Sequence, residues 1–186
     1  MASLVLPLFS QNFVLYNPDA LIVPKGEAFI ELLSTELQEK TSFSLYVVAV
    51  DEIQGNDKLH RDLFKKGFLK NLALPYGIIF FFKSQRKIDI ILQPSIQSID
   101  QNKIISSYMV PILMQDKELS ASKISASILN GYAQLADEIA SHYGKTLENN
   151  LIVDKSGIQD YVHYLIYVML GLTFALIGIL YLTRKK

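Results

Sequence analysis

Asp51, Glu52 and Asp57 place three carboxylates within seven residues (DEIQGND). Carboxylate oxygens are hard donors, so this cluster suits a divalent cation such as Ca²⁺. A cation held there would support metal-dependent hydrolysis of a phosphomonoester, provided further charged groups converge on it. Lys83 and Arg86 are the available cations, but the segment order puts them at the far end of the neighbouring strand pair. The spacing completes no known ligand loop. A solvated loop in which Asp57 caps the next helix is the commoner arrangement.

Little else in the chain points to chemistry. His60 and His142 fall on helix surfaces, without H-x-x-x-H spacing or a neighbouring nucleophile, and His163 lies in an apolar segment. No G-x-S-x-G, P-loop or G-x-G-x-x-G pattern occurs. With no cysteine, disulfides, thiolate metal sites and cysteine nucleophiles are excluded. The expected catalytic set is empty: a non-enzymatic chain, with no cofactor beyond the possible cation.

The carboxylates need elements to position them. Residues 44–50 (SLYVVAV) are apolar and β-branched, as in a strand buried on both faces, and 51–56 follow as a polar turn. Ligands of open α/β sheets gather outside the carboxyl ends of strands, where this turn falls. Before it, Pro24 opens a helix with Phe29, Leu33 and Leu37 on one side, ending near Lys40. After it, Asp57 caps a helix carrying Leu59, Leu63 and Leu72. Residues 77–82 (GIIFFF) form a second buried strand. A tight turn at 84–86 leads into 87–93, whose alternation marks a strand with one wet face, at an edge. Asp100 caps a helical stretch with Ile104, Ile105, Tyr108 and Ile112 that Pro111 must kink or end. The last helix spans about 120–143, with Ile124, Ile128, Tyr132, Leu135 and Ile139 on one side and Gly144 as its C-cap. Helix, strand, helix, strand, strand, helix, helix describes a small α/β sandwich. The strand–helix–strand unit makes its two strands parallel, and the hairpin adds an antiparallel edge.

The 186 residues accommodate one such domain and an extension. The 18 basic and 18 acidic residues cancel, which argues against a nucleic-acid partner. Residues 161–182 (YVHYLIYVMLGLTFALIGILYL) carry no Asp, Glu, Lys or Arg and are long enough to span a bilayer. Tyr161, Tyr164 and Tyr167 at one end and Tyr181 at the other resemble an aromatic belt. A buried core helix is the alternative, though core helices of this length rarely lack charge all round. Gly171, Ala175 and Gly178 lie near one face and suit close helix packing, although small residues are common in spanning helices anyway.

Arg184, Lys185 and Lys186 follow this segment, and its other flank has no positive excess, so the basic tail is expected in the cytoplasm. That puts the domain on the periplasmic side of the inner (plasma) membrane. The alternative is a tail anchor with a cytoplasmic domain. Export requires a signal, and residues 1–12 offer a short or truncated one, apolar but without a basic start. The expected organisation is then 13–144 as the α/β domain, 145–160 as a polar linker, 161–182 as the spanning helix and 183–186 as the tail. Expected partners are the lipid bilayer and an integral membrane protein complex.

Residues 13–22 (FVLYNPDALI), then a helix, then SLYVVAV resemble the opening of the TPM domain, with its extended segment, Asn/Asp-Pro turn and helix leading to a strand. GIIFFFKSQRKIDIILQP is similar to that family's second and third strands. The resemblance covers roughly residues 13–143. It implies a small Rossmann-like sandwich, a mixed sheet flanked by helices, often exported and followed by a C-terminal spanning helix. It also implies an accessory role, as in a thylakoid-lumen factor for photosystem II repair and an auxiliary subunit of a nematode acetylcholine receptor. Acid phosphatase activity and divalent-metal binding are attributed to some members. Many relatives carry an acidic residue and Asn just before the strand-opening glycine. Here Leu74, Pro75 and Tyr76 precede Gly77, a departure that counts against the metal and phosphatase expectations.

Overall fold

Val14–Tyr16 (β1), Ser44–Val50 (β2), Tyr76–Phe82 (β3) and Lys87–Gln93 (β4) form one four-stranded sheet in the order β1-β2-β3-β4. The computed structural model describes residues 12–55, 57–114 and 119–150. β1, β2 and β3 run parallel and β4 is antiparallel to β3, so the sheet is mixed. Every residue of β2 and β3 is buried, as their unbroken apolar runs require. β4 alternates and takes an edge.

Two helical layers cover the sheet. α1 (Pro24–Thr41) and α5 (Ala121–His142) pack together, and α1 also lies along β2. Ile30, Leu33 and Leu37 of α1 and Ile124, Ile128, Tyr132, Leu135 and Ile139 of α5 make this side of the core. Phe29, expected in the α1 stripe, is only half-buried, and Ile30 takes its place. α2 (Lys58–Leu69) lies over the opposite face. There Phe64 meets Phe82 at 5.9 Å, and Phe68 meets Phe80 at 6.2 Å, between ring centroids. Side chains alternate across a strand, so Asp89, paired with Phe80, shares that face and receives Lys65 of α2 at 2.9 Å.

Two features depart from the sequence reading. β1 adds a fourth strand where only an extended segment was expected. Its Val14 N–H and that of Phe13 are both accepted by Glu31, at 3.2 and 2.8 Å, which occupies donors the edge would otherwise expose. The stretch after Asp100 is α3 (Gln101–Ile104), a π-turn at Ile105–Met109 and α4 (Val110–Leu113). Pro111 has no N–H to return to the carbonyl four residues back. The chain widens instead, and Val110 N–H bonds the Ile105 carbonyl.

Gly77 opens β3 in a crowded place. A Cβ there would stand 2.8 Å from Leu92 Cδ2 and 2.9 Å from Leu45 Cδ1, so both leucine side chains would have to shift to admit one.

The stretch expected as a linker from residue 145 begins inside the folded unit, which runs to Asn150. Glu148 and Asn149 donate backbone N–H groups to Glu36 of α1, and Asn150 Nδ2 donates to the Ala133 carbonyl of α5. Among the described residues no helix is long and apolar enough to cross a membrane. The segment expected to span a membrane, 161–182, with Tyr161, Tyr164, Tyr167, Gly171, Ala175, Gly178 and Tyr181, lies outside the described residues, as do Arg184, Lys185, Lys186 and residues 1–11.

Candidate functional site

The carboxyl ends of β1, β2 and β3 come together because the three strands run parallel. Each strand then delivers a polar group to the same rim. After β1, the Asn17 side chain bonds both the N–H and the C=O of Ile22, closing a loop that carries Asp19. Asp19 accepts the Asp51 N–H at 2.8 Å just beyond β2. After β3, Lys83 Nζ pairs with Asp51 Oδ2, and Ser84 Oγ donates to Asp51 Oδ1 at 2.8 Å. Lys83 first, then Ser84, hold the Asp51 carboxyl below its ordinary range.

Lys83 is therefore not remote from the acidic turn. The expectation placed Lys83 by the antiparallel hairpin of β3 with β4, but the parallel pairing of β3 with β2, itself expected, brings the end of β3 beside Asp51. Asp19 and Ser84 are the site residues that sequence reasoning missed, and Lys83 is the one it named but set too far away. The available signal was the parallel strand–helix–strand unit itself, which makes residues just past two successive strands neighbours.

Asp57 is the N-cap of α2. Its carboxylate accepts the His60 N–H at 2.9 Å and meets His60 Nδ1 at 2.8 Å. Its pKa is lowered, first by that backbone donor and then by the ring. The same ring explains Gly55, whose φ is +82° and where a Cβ would stand 2.4 Å from His60 Cγ. Glu52 is exposed and borders a shallow cleft of about 480 Å³ with Tyr16, His60 and Leu63. Two of the three carboxylates are thus engaged by protein donors, and among the described residues no three metal-donor side chains converge. The rim as built is a latch between strand ends, and a cation would have to displace Lys83 from Asp51.

No protein-family model matches the sequence, and no curated protein matches it. Among solved structures, the chain is similar to the BA42 protein of the psychrophilic bacterium Bizionia argentinensis, determined by NMR. The two are 12% identical with a TM-score of 0.47, over 73% of this chain and 92% of that one. A likeness of that depth carries no argument about function.

Beside the rim, α2 turns an apolar face outward. Leu59 is 64% exposed and Leu63 is 56% exposed, although helical spacing marks them as an inward stripe. The larger rings of Phe64 and Phe68 reach the sheet instead and leave the leucines in solvent. Tyr16 continues the patch at the end of β1, with its ring 6.0 Å from Phe64. Gly67, one turn beyond Leu63, leaves open space where a side chain would stand.

Proposed function

We propose that this chain is a membrane-tethered accessory protein whose α/β domain, of TPM type, docks on a larger integral membrane complex to assist its assembly, stability or repair. The observation that carries the reading is the outward apolar face of Leu59, Leu63 and Tyr16. Contiguous exposed apolar surface rimmed by polar groups is a common mark of an interaction site. The uncharged segment at 161–182 supports the tether, which would raise the effective concentration of the domain near other membrane proteins. The mechanism needs no reacting group: binding energy comes from covering the leucines and Tyr16, and the latch at Asp51 keeps that end of the sheet in shape.

The test is purification of the tagged full chain from detergent-solubilised membranes, beside a Leu59→Glu/Leu63→Glu variant. A stoichiometric membrane partner is expected with the native chain and should be absent from the variant. Both side chains already face solvent, so the stability of the variant should stay within about 0.5 kcal/mol of the parent. Retention of the partner by the variant would refute this docking face. Orientation has its own readout. A reporter fused after Lys186 is expected to be active only in the cytoplasm, and activity on the other side would reverse the placement.

A further inference from the structure

Leu59 and Gly67 stand four positions to either side of Leu63, so the three make one row along the outward face of α2. The row ends in a knob and a hole. Leu59 projects into solvent, while a Cβ on Gly67 would meet nothing within 4 Å. That open space runs into a cleft of about 560 Å³ walled by Leu15, Phe68 and Leu72, and no charged side chain is among its described lining residues. A glycine inside a helix lowers its stability. Unlike Gly77, Gly67 is not crowded by its own fold, so the gap is free to take a side chain from outside.

Charge on this face complements itself end to end. Lys66 and Lys70, in the last turns of α2, are exposed, and neither side chain has a hydrogen bond or ion pair to a described residue. The cations on its flank are engaged: Lys65 with Asp62 and Asp89, Arg61 with Gln85. At the other end of the helix, the exposed Glu52 borders the cleft beside His60 and Leu63.

Laid antiparallel and crossing at Leu63, two such helices satisfy both features at once. Positions then count in opposite directions from Leu63, so Leu59 of each copy meets Gly67 of the other. Rows of four-residue spacing lie alongside one another when helices cross at about −50°, a common class in globular proteins. Lys66 and Lys70 of each copy are carried toward the end of the other that holds Glu52. A parallel pair would set Leu59 against Leu59 and leave both gaps at Gly67 empty. An added strand fits less well beside α2, because Glu31 already accepts the Phe13 and Val14 N–H groups of β1.

We propose that a second copy of this chain covers this face through a two-fold, antiparallel pair of α2 helices. Leu63 packs on its own equivalent at the axis, as an isologous contact requires, and the two Leu59 side chains fill the two Gly67 clefts. Resting on the docking reading above, the pair has a regulatory consequence. The same leucines serve both contacts, so the second copy shields them until the membrane complex takes its place.

The chain has no cysteine, so engineered cysteines report contact without background. In the full chain purified in detergent micelles, Leu63→Cys is expected to link to its own equivalent on mild oxidation. Leu59→Cys mixed with Gly67→Cys should give the mixed disulfide at least about tenfold over the Leu59→Cys self-link. Eight positions along a helix span about 12 Å, beyond the reach of about 7 Å between the Cα atoms of a disulfide. Adding Gly67→Trp to Leu63→Cys should abolish the self-link by filling the gap, and the open space there spares the fold. Adding Leu59→Ala, which only trims the knob, should weaken it about tenfold. Self-linking of Leu59→Cys as strong as the mixed link, or a Leu63→Cys link untouched by Gly67→Trp, would overturn the antiparallel pair. So would equal linking through Leu74→Cys, an exposed apolar position outside α2, which would mark random collision. A native chain that captures its complex while Leu63→Cys gives no link refutes the pair and leaves the docking face standing. Specific links without any captured complex do the reverse.

Discussion

Replacing Tyr132 with alanine is expected to cost about 3–5 kcal/mol of unfolding free energy, the range for large aromatic truncations in a core. Tyr132 is wholly buried in α5. Its hydroxyl bonds the Leu45 carbonyl of β2 and the Ser34 hydroxyl of α1, and Ser34 in turn donates to the Ile30 carbonyl at 2.6 Å. One side chain therefore joins both helices of this layer to the strand that carries Asp51. Tyr132→Phe separates the two contributions. It keeps the ring and removes the donor, leaving a buried carbonyl short of a partner, for about 1–3 kcal/mol. Urea unfolding followed by far-ultraviolet circular dichroism reads both variants. A phenylalanine variant as stable as the parent would show that the hydroxyl network contributes nothing. Burial pushes the phenol far above its ordinary range, so it stays protonated wherever the protein is folded. Tyr132 acts as a fastener between α1, α5 and β2.

Sequence periodicity carried the strands and caps because those depend on neighbours in the chain. The run SLYVVAV matches β2 residue for residue, and Asp57 and Asp100 each accept the backbone N–H three residues on. The features that escaped depend on partners far away in sequence. β1 has three residues, too few for a period to declare itself, and exists because Phe13 and Val14 find β2 and Glu31. In α2 the leucine stripe and the phenylalanine stripe lie side by side, and which one faces the sheet depends on the rings already present on β3 and β1. The rim around Asp51 was half legible. Its acidic members are adjacent in sequence, while Asp19 and Lys83 each stand 32 residues away and arrive only through parallel pairing. That same pairing changes the meaning of the cluster, since a carboxylate beside its own lysine is already neutralised.

Acidification should release the end of the domain before it unfolds the rest. Glu36 on α1 is almost entirely buried and accepts the Glu148 N–H at 2.6 Å, the Asn149 N–H at 2.9 Å and the Asn149 side-chain amide at 3.0 Å. Lys40 Nζ lies 2.8 Å from it and also reaches Glu148 and the Thr146 carbonyl. Burial alone would raise the Glu36 pKa, but the ammonium and three amide donors outweigh it and hold it at about 2, against 4.5 for a free glutamate. A folded-state pKa below the unfolded value means stability that is fully present above about pH 4.5 and is lost as pH falls toward about 2. The size follows from the shift, about 3 kcal/mol. Glu36→Gln should therefore cost about that much at neutral pH, because one amide cannot neutralise Lys40 or satisfy three donors. The gap between variant and parent should close as the pH drops through the same window, where the native carboxylate becomes protonated. Amide exchange at Glu148 and Asn149 isolates the local event: protected at pH 7 in the parent, open in the variant, and open in both near pH 2. Protection in the parent that persists unchanged to pH 2 would sink the assignment. What Glu36 fixes is the last part of the described domain, so a protonated Glu36 would free Glu148 and Asn149, which now lie against α1.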